Sequence, residues 1–124
     1  MRQGTTVHLI DDDAAILDSL GLYLESKGFT VHRYGSASAA AAIEVGAADS
    51  CIVTDVRMPG MSGLELQEDL KRRGATIPII LITGHGDIAM AVSAIKSGAH
   101  DFLEKPFTIE QMQQIVFNNY LDAA

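Results

Sequence analysis

Short runs of unbroken apolar residues alternate along this chain with longer stretches in which apolar positions return every three or four residues. The first pattern predicts buried strands and the second amphipathic helices. A first strand is expected from about Thr6 to Ile10, then a helix from about Ala14 to Ser26 with Ile16, Leu20 and Leu24 on one face, stopped by Gly28. Phe29 to Tyr34 alternates apolar and polar, as a half-exposed strand at a sheet edge does. Ser36 or Ser38 is placed to cap the alanine-rich helix that follows. A third strand spans Cys51 to Thr54, and after Pro59-Gly60 a helix opening at Ser62 or Gly63 turns Leu66 and Leu70 inward and ends at Gly74. Pro78 introduces a fourth strand, Ile79 to Ile82, apolar on both faces and therefore central. Asp87 is placed to cap a helix carrying Ile88, Val92 and Ile95 inward, closed by Gly98. A short fifth strand, His100 to Glu104, precedes Pro106, and Thr108 caps a last helix with Ile109, Met112, Ile115 and Val116 inward.

Five strands alternating with five helices predict an α/β domain with a doubly wound parallel sheet covered on both sides. In such sheets ligands sit beyond the carboxyl ends of the strands, near the switch in strand order. Four apolar runs end in polar groups: Ile10 gives way to Asp11-Asp12-Asp13, Thr54 to Asp55, Ile82 to Thr83 and Leu103-Glu104 to Lys105-Pro106. The second strand ends in Tyr34 without such a group, as suits an outer edge, so the expected order is 2-1-3-4-5.

Composition narrows the class. The 124 residues give room for one domain with its own core, and 48% hydrophobic against 6% aromatic content points to aliphatic packing. The single cysteine, Cys51, lies in an apolar run and is expected as a small buried hydrophobe in a reducing compartment. No N-terminal apolar stretch has the length of a signal peptide or membrane span, which predicts a cytoplasmic protein with no membrane partner. A net charge of −7 argues against this domain gripping nucleic acid itself.

A carboxylate closing a buried strand gains neither packing nor a ladder bond. Asp11, Asp12 and Asp55 would bring three into one crevice, where like charges oppose one another unless a cation is present. Oxygen-only ligands suit Mg²⁺, which keeps waters and bridges to phosphate. Lys105 offers a point positive charge and Thr83 a hydroxyl donor. Asp55 can then act as nucleophile on phosphorus. Asp13 is expected to cap the first helix. His8, His32 and His100 lie in strands without metal spacing and read as packing or surface residues.

The stretches Leu9-Ile10-Asp11-Asp12-Asp13, Thr54-Asp55-Val56-Arg57-Met58-Pro59-Gly60-Met61-Ser62-Gly63, Ile82-Thr83-Gly84-His85-Gly86-Asp87 and Asp101-Phe102-Leu103-Glu104-Lys105-Pro106-Phe107 resemble, in order, those of the receiver domain of a two-component response regulator, most closely the FixJ type. Receivers of ATP-dependent activators of the alternative sigma factor share the glycine-histidine-glycine-aspartate loop. The resemblance covers the whole chain, residues 1–124, and implies a flavodoxin-like receiver fold. It also implies a switch and not a conventional enzyme, catalysing only its own phosphorylation and dephosphorylation. Asp55 would take a phosphoryl group from a phosphohistidine on a sensor histidine kinase. Asp12, Asp55 and the backbone carbonyl of Arg57 would ligate Mg²⁺ (or Mn²⁺), with Asp11 acting mostly through water. Lys105, with a cis bond to Pro106, would pair with Asp55, and Thr83 and Phe102 would form the switch. Arg57 and His85 occupy positions that set phosphoryl lifetime, and we expect these bulky groups to screen or position attacking water.

The resemblance further implies a change on the face formed by helix four, strand five and helix five. A homodimer would form there on phosphorylation, with Met90 contributing apolar surface and DNA contacted only through an output domain outside these residues. A stand-alone receiver that signals by docking is the alternative. A Mg²⁺-dependent phosphatase of the haloacid dehalogenase kind would need a second acid where Arg57 stands. A flavin or nucleotide module would need a glycine-rich loop where the three aspartates stand.

Overall fold

The computed structural model describes residues 6–40, 50–58, 60–75, 77–84, 87–99, 101–108, 110–112 and 114–115. In chain order the elements are β1 (Thr6–Ile10), α1 (Ala14–Ser26), β2 (Thr30–Tyr34), α2 (Ala37–Ala40), β3 (Ser50–Asp55), α3 (Gly63–Arg72), β4 (Ile79–Thr83), α4 (Ile88–Lys96) and β5 (Asp101–Glu104). Helical residues at 110–112 and 114–115 lie where the fifth helix is expected. The sheet is parallel throughout and ordered β2-β1-β3-β4-β5, as the pattern of strand ends predicts. Most of the alanine-rich segment, together with His85, His100, Ile109 and Val116, lies outside the described residues.

Burial follows sheet position. Every residue of β3 and of β4 is buried, whereas β2, at the edge, has only exposed and half-buried residues. Two apolar layers result from the period of two along each strand. On one face Ile10, Ile52 and Leu81 pack with Leu66 and Leu70 of α3. On the other, Val7, Leu9, Val53, Ile80 and Ile82 pack with Leu17, Leu20 and Leu24 of α1 and with Met112. Cys51 belongs to this second layer, and burial pushes its thiol up to about 12, which leaves it unreactive at neutral pH.

The helix ends match their signals. Asp13 caps α1, its carboxylate accepting from the amides of Ala15 and Ile16. Ser62 and Glu65 make a reciprocal capping box at α3, and Thr108 and Gln111 do the same before the last helical residues. Ser36, directly before α2, accepts a bond from the Ala39 amide, while Ser38 lies within the helix. At the end of α1, Gly28 adopts a φ of 96° and the Phe29 amide reaches back to the Leu24 carbonyl, a wrap that a side chain at Gly28 would strain.

Helix α4 departs from expectation. Its buried residues are Ala91 and Ala94, while Val92 is 41% exposed and Ile88 and Ile95 are half-buried. The helix seats its small side chains on the sheet, where Gln67 of α3 donates a buried bond to the Ala94 carbonyl at 3.0 Å. Small residues permit that close approach, and the larger ones are displaced to the flanks. Among the described residues no helix is long and apolar enough to cross a membrane.

At the sheet edge, parallel register sets His8 opposite His32, with the rings stacked at 5.4 Å, and Tyr34 Oη lies 2.9 Å from His8 Nδ1. Burial, then the neighbouring His32, lowers the His8 pKa below its ordinary 6.5. Between the two values the unfolded chain binds the proton that the native one rejects, so stability falls as pH drops below about 6.5. Urea unfolding across that window should show this loss, and His8→Gln should reduce the slope.

Candidate functional site: a carboxylate crevice at the ends of four strands

Parallel pairing delivers four chemically unlike groups to one end of the sheet. Asp11 follows β1 directly, Asp55 is the last residue of β3, Thr83 is the last residue of β4, and Lys105 follows β5. Register fixes their mutual height: Ile10 pairs with Thr54, Asp55 with Ile82, and Thr83 with Glu104. The ladder continues one step past β5, where the Lys105 amide donates to the Thr83 carbonyl at 2.8 Å. The Lys105–Pro106 bond is cis, as the resemblance implies.

The structure brings the predicted acids and lysine together. Lys105 Nζ donates to Asp55 Oδ2 at 2.8 Å, and the Arg57 amide donates to Asp55 Oδ1 at 3.1 Å. Oxygens of Asp11, Asp12 and Asp55 lie within 4.8 Å of one another. Asp11 and Thr83 are buried and Asp12 is exposed. One Asp11 oxygen accepts from the Asp13 amide at 2.9 Å, but Asp11 Oδ2 has no partner, and neither has Thr83 Oγ1. Buried polar atoms left unpaired are costly in a stable fold, so these two, at the ends of β1 and β4, suit partners from outside the chain.

Electrostatics agree. Burial raises the Asp11 pKa, the Asp13 amide works against the rise, and the charges of Asp55 and Asp12 add to it. Burial works against the Lys105 charge, but its hydrogen bond to Asp55 and the field of all three carboxylates outweigh that and raise its pKa. Oxygen donors of this kind, with one orphaned and buried, fit a hard divalent cation.

Thr83 and Phe102 share a sheet face. Phe102 pairs with Leu81 and packs in the same layer, and Thr83 lies two residues beyond Leu81. Phe102 is half-buried.

The Arg57 side chain turns away from the acids. Its Nε lies 2.8 and 2.9 Å from the two Asp87 oxygens, its Nη2 2.7 Å from Asp87 Oδ1, and its Nη2 3.7 Å from Met90 Sδ. Asp87 therefore makes no capping bond to α4, contrary to the expectation from sequence. The ion pair holds the Asp87 carboxyl below its usual range. An arginine just past one strand end and an aspartate past the neighbouring end were signals available in the sequence, but helix-capping chemistry explained the aspartate equally well.

Gly63 is a second residue that pattern reading missed. A Cβ built there would collide with the Asp55 backbone carbonyl and crowd Thr54 Cγ2, because α3 begins directly against the end of β3. Its amide donates to the Val56 carbonyl at 3.0 Å.

The chain belongs to the response regulator receiver domain family, whose model matches residues 7–117. It is 53% identical over 107 residues to the transcriptional regulatory protein FixJ of Azorhizobium caulinodans, covering 86% of this chain and 51% of that one. It is 46% identical over 110 residues to the response regulator protein TodT of Pseudomonas putida, covering 89% and 48%. The crystal structure of FixJ-N superimposes with a TM-score of 0.87 at 42% identity, covering 96% of this chain and 95% of the other. The chain thus spans about half the length of the curated relatives it matches.

Gly63→Ala should cost about 1–3 kcal/mol in urea unfolding, the typical penalty for forcing atoms into packed space. Gly35→Ala, where nothing lies within 4 Å, should be near neutral. Equal effects would show that Gly63 does not set the approach of α3 to Asp55.

Proposed function

We propose that this receiver accepts a phosphoryl group on Asp55 from a phosphohistidine of a sensor histidine kinase, and that the added charge drives a conformational switch. The reading is carried by the Lys105–Asp55 contact, which stands beside Asp11 with its unpaired oxygen and at the same end of the sheet as the unpaired hydroxyl of Thr83. In the transfer, an Asp55 oxygen attacks phosphorus in line. The new P–O bond forms as the P–N bond breaks, and the bonding electrons leave with the imidazole, which is then reprotonated. Lys105, already on Asp55, moves its bond to a phosphoryl oxygen and balances part of the added charge. Thr83 Oγ1 gains the acceptor it lacks.

Asp11, Asp12, Asp55 and the Arg57 carbonyl would hold Mg²⁺ (or Mn²⁺). When bound, the ion would neutralise charge on the phosphoryl oxygens. Bonding of Thr83 to the phosphoryl group draws the end of β4 toward the crevice, and Phe102, on the same face, repacks behind it. The consequence falls on α4, β5 and the last helix, where exposed Val92 and half-buried Met90 offer surface for a homodimer. Resemblance to FixJ supports a DNA-binding output domain as the recipient of the signal. Arg57 and His85 are proposed to govern the lifetime of the aspartyl phosphate; His85 lies outside the described residues.

Acetyl phosphate with Mg²⁺ should add the mass of one phosphoryl group, and Asp55→Asn or chelation of the metal should abolish the gain. Light scattering should then report dimers only in the phosphorylated sample. No mass gain from acetyl phosphate and none from a phosphorylated kinase would overturn the assignment.

A further inference from the structure

Helix α4 starts without the cap its sequence provides. Asp13 and Ser62, which bond the helices they cap, have extended backbones, at ψ 107° and ψ 167°. Asp87 sits at ψ 10° and gives both carboxylate oxygens to the Arg57 guanidinium. An aspartate is among the best N-cap residues, so its diversion removes a local stabilisation of α4. Asp87 is buried, and Arg57 is rooted at the acceptor through the bond from its own amide to Asp55 Oδ1. The ion pair therefore ties the segment carrying the acceptor to the start of α4.

We propose that Asp87 is a two-position carboxylate and that its pairing with Arg57 is a latch on the unphosphorylated state. The inference rests on the phosphoacceptor reading of Asp55 and names how that site is regulated. A phosphoryl group on Asp55 places roughly two negative charges beside the backbone of Arg57 and competes with Asp87 for its guanidinium. Losing the guanidinium disfavours the Asp87 carboxylate where it stands. Asp87 has a second set of donors at hand, the Ala89 and Met90 amides in the first turn of α4. Reaching them requires its backbone to move toward the extended conformation seen at Asp13 and Ser62. That rotation lies between Thr83 and α4, so the change of partner reorients the helix start. The sulfur of Met90, which touches Arg57 in the latched state, is released at the same time. Two partners for one carboxylate supply the two discrete states that a population shift needs.

Asp87→Asn separates the two positions, because asparagine caps a helix about as well as aspartate but forms no ion pair. In the absence of any phosphoryl mimic, Asp87→Asn and Arg57→Gln should both move the Ala89 and Met90 amide protons downfield in ¹⁵N-correlated spectra, toward the positions wild type reaches with beryllofluoride and Mg²⁺. Asp87→Ala, which can neither latch nor cap, should not move them. Asp87→Asn should also bind beryllofluoride roughly three- to tenfold more tightly, since it no longer opposes the switched state. If both latch variants keep wild-type amide positions and Asp87→Asn keeps wild-type beryllofluoride affinity, the latch is refuted. If wild type shows no response at Asp55 and Thr83 to beryllofluoride, the phosphoacceptor reading itself fails and takes the latch with it. A response at Asp55 and Thr83 with Ala89 and Met90 unmoved would refute the latch alone.

Discussion

A carboxylate at the end of a fully buried central strand can persist only with a cation beside it, and in this domain Lys105 provides one at 2.8 Å from Asp55. That contact depends on the whole sheet. Lys105 lies 50 residues from Asp55 in sequence and meets it across β4, so every register between β3 and β5 must be correct. Three carboxylates share the crevice with one ammonium group, which leaves the site short of positive charge. Oxygen ligands in that condition suit a hard divalent cation. The unpaired Asp11 oxygen expresses the same deficit as a missing bond, whereas the Thr83 hydroxyl lacks an acceptor.

Much of the fold was legible because its signals were local and strong. Cys51 to Val53 and Ile79 to Ile82 are apolar without interruption, as strands buried on both faces are. Gly28, Asp13 and Ser62 punctuate helices by backbone chemistry that does not depend on tertiary context. Asp11, Asp55, Thr83 and Lys105 could be singled out because each breaks an apolar run at its carboxyl end, and a parallel sheet gathers such ends. The buried face of α4 was not legible. Hydrophobicity alone favours Ile88, Val92 and Ile95, but close packing on the sheet selects Ala91 and Ala94.

Tertiary structure acts differently on two residues with a satisfactory local role. Gly63 keeps its place as a helix start and also packs against the Asp55 carbonyl, whereas Asp87 gives up its cap for Arg57. Local chemistry sets what a residue is able to do, and the sheet sets which option is taken. At Asp87 the option taken gives up helix stabilisation for an ion pair with Arg57, whose amide is bonded to Asp55. A local preference overruled near a functional site is where two conformations of similar free energy are expected. The edge pair of His8 and His32 lies on the opposite side of β1 from β3, and nothing in its geometry joins it to this exchange.

The crevice lacks positive charge, and Lys105 supplies only part of it. Isothermal titration of Mg²⁺ into wild type, Lys105→Met and Asp11→Asn tests this directly. Removing the ammonium group should tighten Mg²⁺ binding, and removing the Asp11 charge should weaken it. Unchanged affinity in both variants, or weaker binding in Lys105→Met, would contradict the account.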